Sequence, residues 1–314
     1  MAFFRRDFIK KIVAFWALFN FIPFMRSARN QPQAAEPLPA PGTPDSLAPA
    51  PAPEPAPAPP PAAAPAPTVA VEPCADYDLE AVYQAVKSAL AKINFTLPAG
   101  KTILLKPNLM AQNTPDQAAS THPAVVDAVC RIFTETGNTV TIGDCMAYYQ
   151  GGGTRQAMKT TGMEAVAKKY GARLLPFEAT LLKKITTGRI LNPLYLTEAV
   201  FTHDLVVNLP KLKLHRLARY SGAVKNTFGC VVGATKQIYH HSYEARPDYK
   251  EFWGGPIVDV HQAVHPGLTV MDAIVGLDKD GPAASPVYRR APGRNIAQSV
   301  PPGQSMPRRI SVRR

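Results

Sequence analysis

The sequence predicts an α/β fold, a mostly parallel sheet covered by helices on both faces. Three observations carry this expectation. Strand-like and helix-like runs alternate from residue 76 to residue 273. The strand runs are continuously apolar instead of alternating, as in strands buried on both faces. Polar residues gather at the carboxyl ends of those runs, where open parallel sheets hold their ligands. They are Lys106, Asn108, Asp144, Asn208, Lys211 and Asp272.

The elements follow in order. Leu79, Val82, Val86, Leu90 and Ile93 have a helical period, with Asp76 or Asp78 placed to cap it. Lys101 to Lys106 is a buried strand ended by Pro107-Asn108. After a loop from Asn113 to Thr121, His122-Pro123 opens a second helix with proline in its first turn, and Gly137-Asn138 closes it. Thr139 to Gly143 is the next strand, with Asp144 at its end. A glycine loop, Tyr148 to Gly153, leads to a helix from Thr154 to Tyr170 that Gly162 is placed to break. Ala172–Phe177, Asp204–Leu209 and Leu268–Ala273 are the remaining strands, the last ending near Asp272.

The two ends differ from this body. The chain has 314 residues and a net charge of +12. Residues 1–30 hold six Lys/Arg and one Asp, and residues 279–314 hold eight and one, while the middle carries 21 of each sign. The basic excess therefore lies outside the folded body, which argues against a nucleic-acid-binding face. At the start, Arg5-Arg6, Asp7, Phe8-Ile9 and Lys10 precede an apolar run of about 14 residues. That is shorter than the roughly 20 needed to span a membrane and suits a signal segment. It resembles a twin-arginine export signal. The resemblance implies the twin-arginine translocation machinery as a partner. It also implies a periplasmic location, or a membrane anchor facing the periplasm through this segment alone.

Residues 31–73 contain 16 prolines, mostly alternating with alanine, and read as an extended spacer reaching on the order of 130 Å. Residues 282–314, with seven arginines and six prolines, read as a disordered tail. The expected division is thus 1–30 signal or anchor, 31–73 linker, 74–281 α/β domain and 282–314 tail, with the sheet C-terminally incomplete.

One stretch carries most of the candidate chemistry. From Leu205 to Tyr243 there is no Asp or Glu, but there are Lys211, Lys213, Arg216, Arg219, Lys225 and Lys236, with His215, His240 and His241. Gly222, Gly229 and Gly233 punctuate it. A basic, glycine-rich stretch without acids fits the wall of an anion site. The candidate substrate-binding residues are Lys106, Asn108, Asn208, Lys211, Lys213, Ser221, Lys225, Asn226 and Lys236. His215 or His240 with Asp144 or Asp272 would move protons. No P-loop and no dinucleotide fingerprint is present.

The four cysteines, Cys74, Cys130, Cys145 and Cys230, form no CxxC pair, so a metal or an iron–sulfur cluster has no local ligand motif. Candidate metal ligands are His240, His241, Cys230 and Cys145. Cys74 falls at the end of the linker.

Leu105-Lys-Pro-Asn108, Thr121-His-Pro123, Gly143-Asp144, Asn208-Leu-Pro-Lys-Leu-Lys213, Ser221 to Gly229, Lys236 and Tyr239-His240 occur in order. This series resembles the domain of unknown function 362 family over roughly residues 79–282. The resemblance implies no established reaction. It does imply association with ferredoxin-like modules in some members, and this chain carries no such module. Three readings stand: an exported enzyme acting on a small carboxylate or phosphate by acid–base or metal-assisted chemistry; an envelope iron–sulfur or metal-binding redox accessory protein; and a non-catalytic binding domain on a tether.

Overall fold

The computed structural model describes residues 69–147, 153–215, 218–241, 252–278, 289–291 and 293–299. The chain divides into two units, residues 1–60 and 61–314, and every described residue belongs to the second. The expected signal, most of the linker and the 148–152 loop lie outside the described residues.

Val69–Pro73 (β1) precedes Leu79–Lys92 (α1), whose N-cap Asp78 accepts from the Ala81 amide. Thr102–Pro107 (β2), Pro123–Glu135 (α2) and Thr139–Asp144 (β3) follow. Gly153–Thr160 (α3) and Met163–Tyr170 (α4) are two helices, parted at Gly162 as expected. This glycine has φ +84° and no room for a Cβ beside Pro123. Arg173–Pro176 (β4) comes next, then Leu182–Ile185 (β5) and Leu194–Thr197 (β6), which pair as a separate two-stranded sheet. A short helix, Ala199–Thr202 (α5), leads into Leu205–Leu209 (β7). Pro210 interrupts the strand, and Lys211–His215 (β8) continues it before Arg219–Ser221 (β9) turns back. Ala223–Asn226 (α6), a 3-10 turn at Thr227–Cys230, Gly233–His241 (α7) and Gly254–Val264 (α8) precede the long strand Leu268–Leu277 (β10). Arg289–Arg290 (β11) and Arg294–Ser299 (β12) complete the described chain.

The main sheet runs β1-β12-β10-β7-β2-β3-β4. Its centre, β10-β7-β2-β3-β4, is parallel, while β12 and β1 add antiparallel to β10. Both faces are covered. On β2, Ile103 and Leu105 enter one hydrophobic cluster with α1, α2 and α4, while Leu104 enters another with α5 and α8. On β7, Val207 and Leu209 face the first cluster and Val206 the second. The uninterrupted apolar runs therefore serve two cores at once.

Three expectations are corrected. Residues 294–299, read as tail, form β12, whose backbone pairs with β10 on one side and β1 on the other. Residues 69–73, read as the end of the linker, form β1, and Cys74 beside them is buried instead of lying in a solvated spacer. Strand β10 runs five residues beyond Asp272, which places that acid mid-strand, paired across from Lys211 of β8.

Candidate functional site

The parallel strands end on one edge of the sheet and deliver the expected polar residues there. β2 brings Lys106 and Asn108, β3 brings Asp144, β7 brings Asn208, and β8 brings Lys211 and Lys213. The segment from α6 to α7 adds Lys225, Asn226 and Lys236.

Most of these side chains are already engaged. Lys106 Nζ lies 2.8 Å from Asp144 Oδ1 with both side chains buried. The pair is a charge contact without hydrogen-bond alignment, and Nζ donates to the Pro107 carbonyl at 2.9 Å. Asp144 Oδ2 accepts from the Leu109 amide. Gly229 is pressed against this pair, since a Cβ there would sit 2.5 Å from Asp144 Oδ1 and 2.6 Å from Lys106 Nζ. Lys211 Nζ donates to Asp272 Oδ2 and to Tyr77 Oη, each at 2.8 Å. Lys236 Nζ donates to the Cys145 and Met146 carbonyls. Lys213 Nζ donates to the Ala119 carbonyl, and burial, with Lys225 and Lys211 adding to it, pushes its ammonium down to about 7.

Lys225 differs. Among the described residues no hydrogen bond or ion pair holds its Nζ, which lies 4.6 Å from the Phe228 ring centre and 5.6 Å from that of Trp253. Burial, then Lys236 and Lys106, push this ammonium down to about 7, against an upward pull from Asp144. The residue as a whole is half-buried. Cations thus outnumber acids here. Lys106, Lys213 and Lys225 share Asp144, Lys236 and Glu178 both act on Cys145, and Asp272 is committed to Lys211.

The asparagines form a polarised chain. Asn208 Nδ2 donates to the Ala223 carbonyl, and Asn226 Nδ2 donates to Asn208 Oδ1 and the Lys106 carbonyl. Because the carbonyls can only accept, every amide is oriented, and Asn108 Nδ2 must donate to Asn226 Oδ1. Among the described residues Asn108 Oδ1 is buried with no donor and Trp253 Nε1 is buried with no acceptor.

A family model described as a domain of unknown function (DUF362) matches residues 103–297, more than half of the chain. The chain belongs to this family. Thylakoid-associated protein sll1697 of Synechocystis sp. is 33% identical over 189 residues, 60% of this chain and 56% of that protein. The chain therefore spans little more than half the length of this relative. Among solved structures, the lactate racemase apoprotein from Thermoanaerobacterium thermosaccharolyticum is similar, with a TM-score of 0.41 and 15% identity over 67% of this chain and 50% of that one.

The remaining candidates of this DUF362 domain take different places. Asp272 is a junction: Oδ2 accepts from Lys211 and the His122 amide, and Oδ1 accepts from Tyr77 and Ile274. It ties β10, β8, the start of α2 and the approach to α1 together, and its acceptor capacity is spent on that task. His122 caps α2 and stacks on Tyr77 with ring centres 3.6 Å apart. His215 accepts from the Ala218 amide, and its ring lies 6.1 Å from that of His240. His240 in turn meets the edge or face of Trp253 at 4.6 Å. The two histidines thus meet each other and the aromatic wall, while both acids are occupied by lysines. Ser221 is buried on β9, paired with Lys213. Asp259 accepts three backbone amides at residues 189–191, a loop-holding role. The side chain of His241 lies outside the described residues.

Among the described residues the candidate ligands do not converge on one point. Cys145 and Cys230 are buried free thiols. Burial raises the Cys145 thiol and pushes Cys230 up to about 12, so without a bound cation both favour the protonated form. Among the described residues no group of three or more His, Cys, Asp or Glu converges to hold a metal ion.

Four participants were not anticipated from the sequence: Phe228 and Trp253, which line Lys225; Tyr77; and Glu178. Glu178 Oε1 accepts from Cys145 Sγ at 3.2 Å and from Thr154 Oγ1, and its Oε2 is buried without a partner among the described residues. The strand-end rule that selects Asp144 applies equally to Glu178, just past β4. Nothing local in the sequence marks the two aromatics.

Proposed function

We propose that this domain binds a small carboxylate or phosphate compound at the carboxyl edge of β2, β3 and β7 and acts on it as an enzyme. The observation that supports this reading most is the state of Lys225. Four neighbouring lysines are held by carbonyls or carboxylates, and Lys225 alone among them presents an ammonium without an acceptor. A buried surplus of positive charge is costly unless an anion offsets it. Bringing an oxyanion to Lys225 would neutralise part of the surplus in a low-dielectric setting, where charge-assisted contacts are strong. The orphaned Trp253 N–H adds a donor that a bound oxygen within reach would satisfy.

Titration calorimetry with inorganic phosphate and with pyruvate tests this. Binding of either, weakened at least tenfold in Lys225→Met while the unfolding midpoint is retained, is the expected result. No heat with either anion across a millimolar range would remove the reading. Binding that no reaction follows would reduce the protein to a tethered binding domain. We also propose an envelope location, supported by the twin-arginine-like segment and by the name of the thylakoid-associated relative. Recovery of the full chain in the cytoplasmic soluble fraction of its host would overturn this. Among the described residues no helix is long and apolar enough to cross a membrane.

A further inference from the structure

We propose that Lys225 is a covalent nucleophile: its amine forms an imine with a carbonyl group carried next to the carboxylate of a 2-oxo acid. This rests on the anion-binding reading and narrows it to a substrate class and a reacting atom.

The argument is one of elimination and surroundings. Of the five lysines at the sheet edge, Lys106 is held by Asp144 and Pro107, Lys211 by Asp272 and Tyr77, Lys213 by Ala119, and Lys236 by Cys145 and Met146. An ion-paired lysine is kept protonated and has no lone pair to attack with, and one whose N–H groups donate to carbonyls is anchored in place by them. Among the described residues Lys225 has no such bond; it is half-buried and lies against Phe228 and Trp253. A buried amine crowded by other cations is the recognised setting for a nucleophilic lysine, because desolvation and like charge both disfavour its protonated form, against the attraction of the two ring faces for the ammonium. Here Lys236 and Lys106 supply the neighbouring charge, so near neutral pH a substantial share of Lys225 is the free amine. The same surplus of charge draws in a carboxylate. A ligand that places a carbonyl carbon one bond from a carboxylate meets both demands within the reach of a single side chain.

The step balances without a co-reactant. The Lys225 lone pair forms the C–N bond, both amine protons leave with the carbonyl oxygen as water, and one proton from solvent converts the imine to the iminium. The iminium cation then pairs with the adjacent carboxylate and restores the positive charge the amine had lost.

The test incubates the full chain with pyruvate or glyoxylate, reduces with sodium borohydride, and reads intact mass followed by peptide mapping. The expected result is one reduced adduct per chain, mapped to Lys225, suppressed by excess phosphate and absent in Lys225→Arg. That variant keeps a cation, so calorimetric binding of phosphate should be weakened less in it than in Lys225→Met. Binding of pyruvate by the wild-type chain without any trapped adduct would overturn the imine and leave anion binding standing. Adducts spread over exposed lysines, with none enriched at Lys225, would also overturn it. Absence of both binding and trapping would remove the anion reading and the imine together.

Discussion

Lys106 and Asp144 place opposite charges 2.8 Å apart at the carboxyl ends of adjacent parallel strands, with side-chain exposures of 1% and 2%. Neither charge can be removed alone without stranding the other away from water. Asp144→Asn should therefore cost about 3–5 kcal/mol of stability. Replacing both partners together, as Lys106→Met with Asp144→Leu, should recover much of that loss. Urea denaturation of the single and double variants measures both values, and a single-variant loss below about 1 kcal/mol would contradict the burial argument.

Gly229 is the second pressure point of the same pair. Its absent Cβ leaves the space occupied by Lys106 Nζ and Asp144 Oδ1. Gly229→Ala should destabilise by about 1–3 kcal/mol through overpacking and weaken phosphate binding in the calorimeter, because the ion pair must shift to admit the methyl group. An unchanged melting temperature together with unchanged binding would show that the pair moves freely.

His122 sets an acid limit. Burial holds its imidazole down at about 4, with Asp272 pulling it up and Lys211 pushing it down. An unfolded histidine titrates near 6.5. Between those values the unfolded chain binds more protons than the folded one, so stability should fall as pH drops from about 6.5 to about 4. The full effect is on the order of 2 kcal/mol after allowance for the partly open ring. His122→Asn retains a cap acceptor for the Ala124 amide and should flatten this window in pH-dependent unfolding curves.

Lys213 works in the opposite range. Its ammonium is pushed down to about 7, against about 10.4 in an unfolded chain. From pH 7 to pH 10 the unfolded state again binds the extra proton, so stability should rise with pH across this range, by at most ~1.4 kcal/mol per unit for each such lysine. Lys213→Met should reduce that slope. Anion binding by Lys225 should show the reverse trend, weakening above pH 7 as its ammonium discharges, while borohydride trapping should increase as the free amine accumulates.

The parallel centre of the fold was legible in the sequence because its signal is local. Ile103-Leu104-Leu105 and Val206-Val207 are apolar on consecutive residues, and only a strand sandwiched between two cores uses such a run. Asp78, Gly162 and Pro123 marked helix limits by their own conformational preferences. β12 was not legible, since Arg294 to Ser299 has too little apolar character to announce a strand. It is held by backbone pairing to β10 and β1, each far from it along the chain or lying in a proline-rich context. The site divides in the same way. The strand-end rule found Lys106, Asp144 and Lys211, but it could not tell a held lysine from an open one. The holders are Tyr77, the Ala119 carbonyl and the Cys145 carbonyl, at sequence separations of 134, 94 and 91 residues. The aromatic flank of Lys225 was hidden for the same reason, because Trp253 arrives at the N-cap of α8, 28 residues further along the chain.

The pairing of β1 with β12 has a mechanical consequence. Val69 lies opposite Gln298 and Pro73 opposite Arg294, so the outward-leading ends of both strands sit at the same end of one antiparallel ladder. Tension applied between residues 69 and 299 would load its hydrogen bonds one after another, as in opening a zip, instead of shearing them all at once. The domain should therefore yield at low force from this edge. A translocating motor or a protease gripping either flank would meet the weakest seam of the molecule first, well before the parallel strands that carry the lysines.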